Sequence, residues 1–447
     1  MYRLRADAEL TVSMIEKYIE KNRVEEVRRE HLYGYYTGKH KIQNRTMKDA
    51  AKPNNKVVNP YPHYITDTMT GYFMGEPITY KSVDNQFLSA IKEIFKYNDE
   101  ATENSELAKD ASICGEAYEL LYVDEDGEVR FKRLNPISGI PIYDNTVEEE
   151  LLYFIRHYSD TDILTGNVIT YVEVYSRTDF RLYEKTIGHM TLLQERPHTF
   201  GAVPIIVYKN NEENIGDFEL VLSLIDAYDK IVSDNVNDLE YFVDAYLCLY
   251  GMMGTEPEDV AQMKENRVLL MDGDAKAEWL VKSINDGYIE NLKTRINEDI
   301  HKFSFCPSLT DKDFASNASG VAMKYKLMGL ENSTAKKESS FKKGIQRRIE
   351  LICNILYIMG TEYDYRDIEV VFTRNMPANI TEIADVLNSI GHLLSEETQI
   401  SLLPLDIDYE AEKQKKEKEQ AQGYDDYNEL EVAADGANVL ANQSQTE

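Results

Sequence analysis

Acidic side chains concentrate on one face of a predicted helix between residues 217 and 250. Eight carboxylates lie there against a single base, Lys230. The candidates for function are Asp226, Asp229, Asp234 and Asp238. Such a face is typical of a solvated helix, and it would not bind a polyanion because phosphate binding depends on basic groups. The acids could equally pair with neighbouring parts of an assembly, and the sequence leaves these interpretations open.

The predicted helix over residues 319–359 has the opposite character, with eight bases against three acids. The candidates for function are Lys336, Lys342, Lys343, Arg347 and Arg348. These bases could contact nucleic acid, or they could pair with the acidic surface of the next subunit in a closed assembly. Because the chain has 49 basic and 79 acidic residues, a net charge of −30, pairing between subunits is at least as well supported as contact with DNA.

No familiar catalytic pattern is present. Residues 34–40 are one residue too short for a phosphate-binding loop, and His40 stands where Ser or Thr would bind magnesium. Residues 124–127 lack the rest of a calcium loop and are better explained as a hairpin turn. The eight histidines include no zinc-binding pair at helical spacing. The sequence therefore predicts no metal site, no cofactor and no enzymatic activity.

Composition excludes several classes of protein. The net charge excludes a protein that coats DNA through a basic surface. No apolar run reaches the ~18 residues of a membrane helix, and the first residues lack the apolar core of a signal peptide. The four cysteines are far apart and form no CxxC pair, which indicates reduced thiols. The excess of 31 Tyr over 14 Phe favours half-buried surfaces and subunit interfaces.

The spacing of apolar residues predicts an α+β fold that is mostly helical. Helical patterns dominate up to residue 116, and strand patterns with an Asp126-Gly127 turn fill residues 117–208. The segments that follow are the helix at 217–250, an insert at 251–285, a helix at 286–306, a loop at 307–318, the helix at 319–359, a strand at 368–373 and short helices from 380. The composition of the final segment, 423–447, predicts disorder.

Several stretches, taken in order, resemble the portal proteins of tailed bacteriophages of the long-tailed siphophage type. The matching stretches are residues 35–42, 54–60, 71–80, 115–118, 126–127, 135–136, 142–144, 203–208, 210–211, 216–219, 224–228 and 319–330. Each is short, and their order and spacing from about residue 10 to residue 400 make the resemblance specific.

The resemblance implies the portal architecture of wing, stem, clip and crown, assembled as a ring. The implied parts are a wing at 1–216, stem helices at 217–250 and 286–306, a clip at 251–285, a tunnel loop at 307–318, a long helix with a wing strand at 319–379, a crown at 380–422 and a tail at 423–447. In a ring of this kind the candidates to line the channel are Asp226, Asp229, Asp234 and Asp238. An acidic wall would let DNA slide, because it forms none of the contacts with phosphate that add affinity.

The resemblance also implies partners and a location. They are a homo-dodecamer at one vertex of the capsid in the virion, double-stranded DNA passing without sequence specificity, the terminase large subunit, a head-completion adaptor, and the major capsid and scaffolding proteins. Assembly would take place in the host cytoplasm, with no membrane involved. The alternatives are another connector or adaptor ring of the virion, or an enzyme such as a carboxylate metal nuclease with an unrecognised site.

Two further groups of residues acquire a possible role from the resemblance. The tunnel loop carries Asp311, Lys312, Asp313 and Phe314, one aromatic with mixed charge that could press on DNA without sequence preference. An ordinary mobile surface loop would have the same composition. In the clip, Leu269 and Trp279 are the apolar residues expected to support packing and the docking of terminase.

Overall fold

The computed structural model describes residues 2–49, 52–161, 163–164, 166–186, 189–242, 246–250, 276–280, 286–309, 320–376, 380–402 and 412–416, with single positions 256, 258, 261 and 418. The chain divides into two units, Met1–Asn375 and Met376–Glu447. Helices and sheets are both present in the first unit, so the α+β class expected from the sequence is confirmed.

Four helices precede the main sheets. They are α1 (Val12–Tyr36), α2 (Tyr61–Met74), α3 (Asn85–Tyr97) and α4 (Glu100–Cys114). Local signals set their ends: the Asp84 carboxylate accepts from the backbone N–H groups of Gln86 and Phe87 at the start of α3. Gly115 ends α4 at φ 88°. A Cβ there would lie 1.9 Å from the Asn214 carbonyl oxygen, so this close approach requires glycine.

Two short strands lie among the first helices, β1 (Tyr2–Arg3) and β2 (Thr79–Lys81). Strands dominate the segment that follows α4. They are β3 (Glu116–Val123), β4 (Val129–Leu134), β5 (Gly139–Tyr143), β6 (Leu151–Thr161), β7 (Val168–Tyr175), β8 (Asp179–Thr186), β9 (His189–Pro197) and β10 (Ile205–Lys209). One sheet has the order β1-β5-β6-β7-β8-β9 and another the order β10-β3-β4. All neighbours in these sheets are antiparallel except β1 and β5.

The later elements of the first unit alternate long helices with short strands. They are α5 (Leu222–Phe242), β11 (Tyr246–Tyr250), β12 (Lys276–Leu280), α6 (Asp286–Ser304), α7 (Gly320–Ile358) and β13 (Glu369–Val371). The expected helix over 217–250 is shorter in the structure, because 246–250 pairs as a strand with 276–280. Its sequence, Tyr-Leu-Cys-Leu-Tyr, contains two tyrosines, which favour strands.

One of the buried apolar clusters connects α7 with the N-terminal part of the chain. Ile345 and Ile349 of α7 belong to the same buried cluster as Phe73 of α2, Leu107 of α4 and Phe131 of β4. This packing fixes α7, which at 1.5 Å per residue extends about 58 Å. The second unit contains α8 (Ile380–Ile390) and α9 (Glu396–Ser401).

Candidate functional site

The acidic helix α5 is joined to the segment that follows α1 through Asp229. This carboxylate is completely buried. Its Oδ2 lies 2.6 Å from His40 Nδ1, and its Oδ1 accepts from both the backbone N–H and the Nδ2 of Asn59, at 2.8 and 2.9 Å. His40 Nε2 faces the Tyr35 carbonyl oxygen at 3.2 Å, so both ring nitrogens of His40 lie beside oxygen atoms of the same protomer.

Further contacts extend this junction along α5. Tyr35 Oη donates to Asp226 at 2.6 Å, and Arg45 Nη1 donates to Asp234 at 2.6 Å. Burial, first of all, and the Asp226 carboxylate raise the pKa of Tyr35. One turn further along, Asn237 Oδ1 accepts from the Asn55 backbone N–H at 2.7 Å. One side of the acidic helix is therefore hydrogen-bonded within the same protomer.

The candidate acids thus have different surroundings. Asp229 was expected to face the channel, but it is buried. Its carboxylate oxygens contact His40 and Asn59 inside the protomer. Asp226 and Asp234 are half-buried against Tyr35 and Arg45. Asp238 is also half-buried and lies beside the exposed Leu239 and Glu240. The channel-lining role remains a prediction.

The five candidate bases of α7 also separate into groups. Lys336 and Lys343 are exposed and Lys342 is half-buried. Arg347 is half-buried and donates to Glu350, three residues on, at 2.7 Å. Exposed ion pairs of this kind contribute little to stability, so these four side chains remain candidates for contact with a partner.

Arg348 has no exposed surface. Its Nε and Nη2 donate to the two carboxylate oxygens of Glu119 on β3 at 2.9 and 2.7 Å, and Nη2 also donates to Asn104 Oδ1 at 2.8 Å. Burial alone would lower the pKa of Arg348, and the Glu119 carboxylate outweighs it, so the pKa is raised. Arg348 therefore differs from the sequence expectation: its charge is used inside the protomer and faces neither DNA nor a neighbouring subunit.

A second buried ion pair lies nearer the start of α7. Lys337 Nζ donates to Asp217, whose carboxylate also accepts from Asn210 Nδ2 at 2.8 Å and Ser112 Oγ at 2.5 Å. Both charged side chains are almost completely buried. The pair therefore attaches α7 to the segment just before α5.

Of the tunnel-loop and clip candidates, the structure describes only Trp279. Residues 311–314 and Leu269 lie outside the described residues. Trp279 is in β12, where its backbone pairs opposite Leu247 of β11. The clip and tunnel-loop roles of these residues remain predictions.

Sequence reasoning missed the partners of the acids. Residues 39–55 look like an exposed polar loop, yet His40 and Arg45 form hydrogen bonds with the acids of α5. The available signal was composition: this segment combines His, Arg and Asn with no acidic residue except Asp49. Nothing local shows that its partner is a helix much later in the chain.

Two further findings, on metal sites and on membrane-spanning helices, hold for the described part of the chain. There, no group of three or more His, Cys, Asp or Glu side chains is arranged to hold a metal ion. Within the same residues, every helix is too short or too polar to cross a membrane.

Comparison with known proteins gives a consistent family. The model of the family described as "Phage portal protein, SPP1 Gp6-like" matches residues 15–424. The portal protein of Bacillus phage SPP1 is 26% identical over 431 residues, covering 89% of this chain and 84% of that protein. The portal protein of Clostridium phage phiCD119 is 26% identical over 375 residues, covering 77% and 80%. The chain therefore belongs to the SPP1 Gp6-like family of phage portal proteins.

Proposed function

We propose that this protein forms a dodecameric ring at one vertex of the phage capsid, through which double-stranded DNA enters during packaging and leaves during ejection. The observation that carries the proposal is the family match over residues 15–424. Portal proteins are structural components of the virion, so the ATPase that drives packaging is a separate chain. The ring assembles in the host cytoplasm with the major capsid and scaffolding proteins.

The parts of the ring follow the order of the elements. The wing is 1–216 with the strand near 369–371, and the crown begins near 380. We assign α5 and α6 to the stem, with the clip at 251–285 between them and the tunnel loop at 307–318 after them. The pairing of β11 with β12 supports a clip that begins earlier than residue 251, because both strands lie beyond the ends of the stem helices.

The mass of the assembled protein tests the ring directly. Native mass spectrometry of the full chain should find a species of twelve times the 51.5 kDa chain mass, or a ring of closely similar subunit number. A monomer that cleaves DNA when a divalent metal is added would contradict the portal assignment and support the nuclease alternative.

The acidic wall of the channel is assigned to the last turns of α5. Asp229 is buried, and Asp226 and Asp234 contact Tyr35 and Arg45 of their own protomer. Glu240 is exposed and is therefore the acid best placed to face a lumen, with Asp238 close to it on the same helix. Acidic groups there would keep the DNA from binding to the wall, because each phosphate contact adds affinity and a ring repeats every contact.

Replacing both Asp238 and Glu240 with Lys tests the wall. The rings should form normally, and packaging should slow most at low salt, since salt screens contacts between lysine and phosphate. A matched control is Glu290→Lys, an exposed acid on α6 whose contact is to Lys293 on the same helix. Normal packaging at low salt by intact double-variant rings would reject the assignment.

The tunnel loop is assigned to the segment with Asp311, Lys312, Asp313 and Phe314. Deleting these four residues should leave ring assembly intact, because no described helix loses an apolar contact. DNA packaging or retention should fall. Rings that fail to assemble after the deletion would show that the segment is a structural interface.

The clip is assigned as the docking surface for the terminase large subunit and later for a head-completion adaptor. Leu269→Ala and Trp279→Ala should weaken terminase binding while the wing stays folded, because an insert this small cannot hold a large core alone. Unchanged binding together with unchanged ring stability would reject the assignment.

A further inference from the structure

The turn that ends α6 exposes aromatic side chains on the surface of the protein. Phe303 and Phe305 are 51% and 58% exposed, whereas Ser304 and Cys306 between and beside them are buried. Among the phenylalanines whose side chains the structure describes, these two are the exposed ones. Phe305 also has φ 57°, a conformation that a bulky residue adopts only when its surroundings enforce it.

Contacts on both sides enforce this turn. His301 Nδ1 donates to the Cys306 carbonyl oxygen at 2.9 Å, and Tyr64 Oη of α2 donates to the Pro307 carbonyl oxygen at 2.9 Å. The Leu309 backbone N–H donates in turn to Tyr64 Oη at 2.9 Å. The turn is therefore fastened to α2, and the exposed position of Phe305 follows from the fold.

Phe305 stands at the edge of a groove of about 420 Å³. On one side the groove is formed by α7, where Gly329 leaves room for the ring: a Cβ at that position would lie 3.4 Å from Phe305. On the other side Leu220 is 72% exposed. Two exposed phenylalanines and an exposed leucine around one groove are typical of a surface that is covered in the assembled state.

The groove carries charges of both signs. Lys336 and Glu213, both exposed, line it together with the ion pair of Lys337 and Asp217, and Lys302 Nζ lies 5.5 Å from the centre of the Phe303 ring. Duplex DNA offers phosphates to the lysines but no unstacked bases to the phenylalanines, so it would leave the apolar part uncovered. A second copy of this chain can cover the whole groove, since it offers acidic and basic side chains for the charges of both signs and apolar side chains on its surface for the phenylalanines.

We propose that the groove defined by Phe303, Phe305, Leu220 and Lys336 receives the neighbouring subunit, and that it is one half of a head-to-tail contact in the ring. In such a contact a groove on one copy meets a different surface on the next, so the same contact repeats until the ring closes. The inference rests on the proposed ring and names the surface that forms it.

The substitution Phe305→Gly separates a role between subunits from a role within one. Glycine accepts the positive φ of this position without strain, so the folded protomer should be as stable as wild type or more so. The ring should lose an aromatic contact from every interface, and the protein concentration at which it dissociates should rise roughly tenfold or more. Tyr357→Ala, which removes a 64% exposed aromatic elsewhere on α7, is the matched control and should leave that concentration unchanged.

The measurements are native mass spectrometry of the full chain across a dilution series, and the urea midpoint of the dissociated protomer. Variant rings as stable as wild type would overturn this inference and leave the proposed function intact. A lower urea midpoint for Phe305→Gly would assign the side chain to internal packing, and lost terminase binding by intact rings would assign the groove to terminase. Wild-type protein that stays monomeric would overturn both the ring and the inference.

Discussion

Arg348 and Glu119 form a completely buried bidentate ion pair, although 229 residues separate them along the chain. The guanidinium also lies 4.5 Å from the centre of the Phe131 ring, so the charge is enclosed by both a carboxylate and an aromatic face. The pair joins α7 to the three-stranded sheet. It makes the position of α7 depend on a polar contact as well as on apolar packing.

Breaking this pair should destabilise the protomer strongly. Arg348→Met leaves the Glu119 carboxylate buried without its cation, and we expect the free energy of unfolding to fall by about 3–5 kcal/mol. Adding Glu119→Leu should recover much of the loss, because the unpaired charge is then gone. Urea unfolding of wild type and the two variants measures this, and a double variant no more stable than the single one would contradict it.

The junction at Asp229 should matter more than any exposed acid of α5. Asp229→Ala leaves the His40 ring and the Asn59 backbone N–H buried without an acceptor, and we expect a loss of about 3 kcal/mol. Glu240→Ala, at an exposed position of the same helix, is the control and should change the free energy of unfolding by less than about 0.5 kcal/mol. Equal effects from the two substitutions would contradict the buried junction.

Gly344 lets α7 approach β10 closely. A Cβ at this position would lie 2.4 Å from Cε1 of the Tyr208 ring, which is itself completely buried. Gly344→Ala should therefore cost about 1–3 kcal/mol through overpacking. Gly71→Ala on α2 is the matched control: its Cβ would meet nothing within 4 Å, so the better helix propensity of alanine should stabilise the protein by about 0.5–1 kcal/mol. Thermal unfolding compares the two.

Asp110 on α4 makes stability depend on pH. Burial raises its pKa from 3.8 to about 6, although Arg133 donates to its Oδ2 at 2.9 Å and opposes the shift. A raised carboxyl pKa means that the folded state binds the proton more tightly, so this contribution is complete below pH 3.8 and is lost as the pH rises through 6.

Replacing Asp110 with Asn tests this dependence, because the amide stays neutral at every pH. The free energy of unfolding of wild type relative to Asp110→Asn should fall between pH 4 and 7, by up to about 3 kcal/mol. Urea unfolding at several pH values measures the difference. A difference that stays constant over that range would show that Asp110 does not titrate as described.

Local sequence signals predicted the elements well where the cause of the structure is itself local. The helical pattern before residue 116 includes α3, whose start is capped by Asp84, and the expected Asp126-Gly127 turn joins β3 and β4 through Gly127 at φ 85°. The predicted end of α5 was wrong: the segment 246–250 is a strand that pairs with 276–280, and its two tyrosines are only a weak strand signal beside the helical spacing of its apolar residues.

The candidate residues could be predicted only by type. Acidic and basic patterns on α5 and α7 are visible in the sequence, but the partner of each charge is not. In the sequence, nothing distinguishes Asp229 and Arg348 from the exposed acids and bases near them. They are buried against His40 and Glu119, which lie 189 and 229 residues away along the chain. Burial of this kind is a property of the tertiary fold, which periodicity along one helix does not contain.

The pairing of β2 with β13 has a consequence for how the protein folds. Tyr80 lies opposite Val370, so most of the first unit must be synthesised between the two strands before they can meet. Closing a loop of that length costs about 5 kcal/mol in chain entropy, and distant pairings of this kind slow folding. On the ribosome, β2 therefore waits with an open edge until residue 371 has left the exit tunnel, and the first unit cannot complete its fold before that moment.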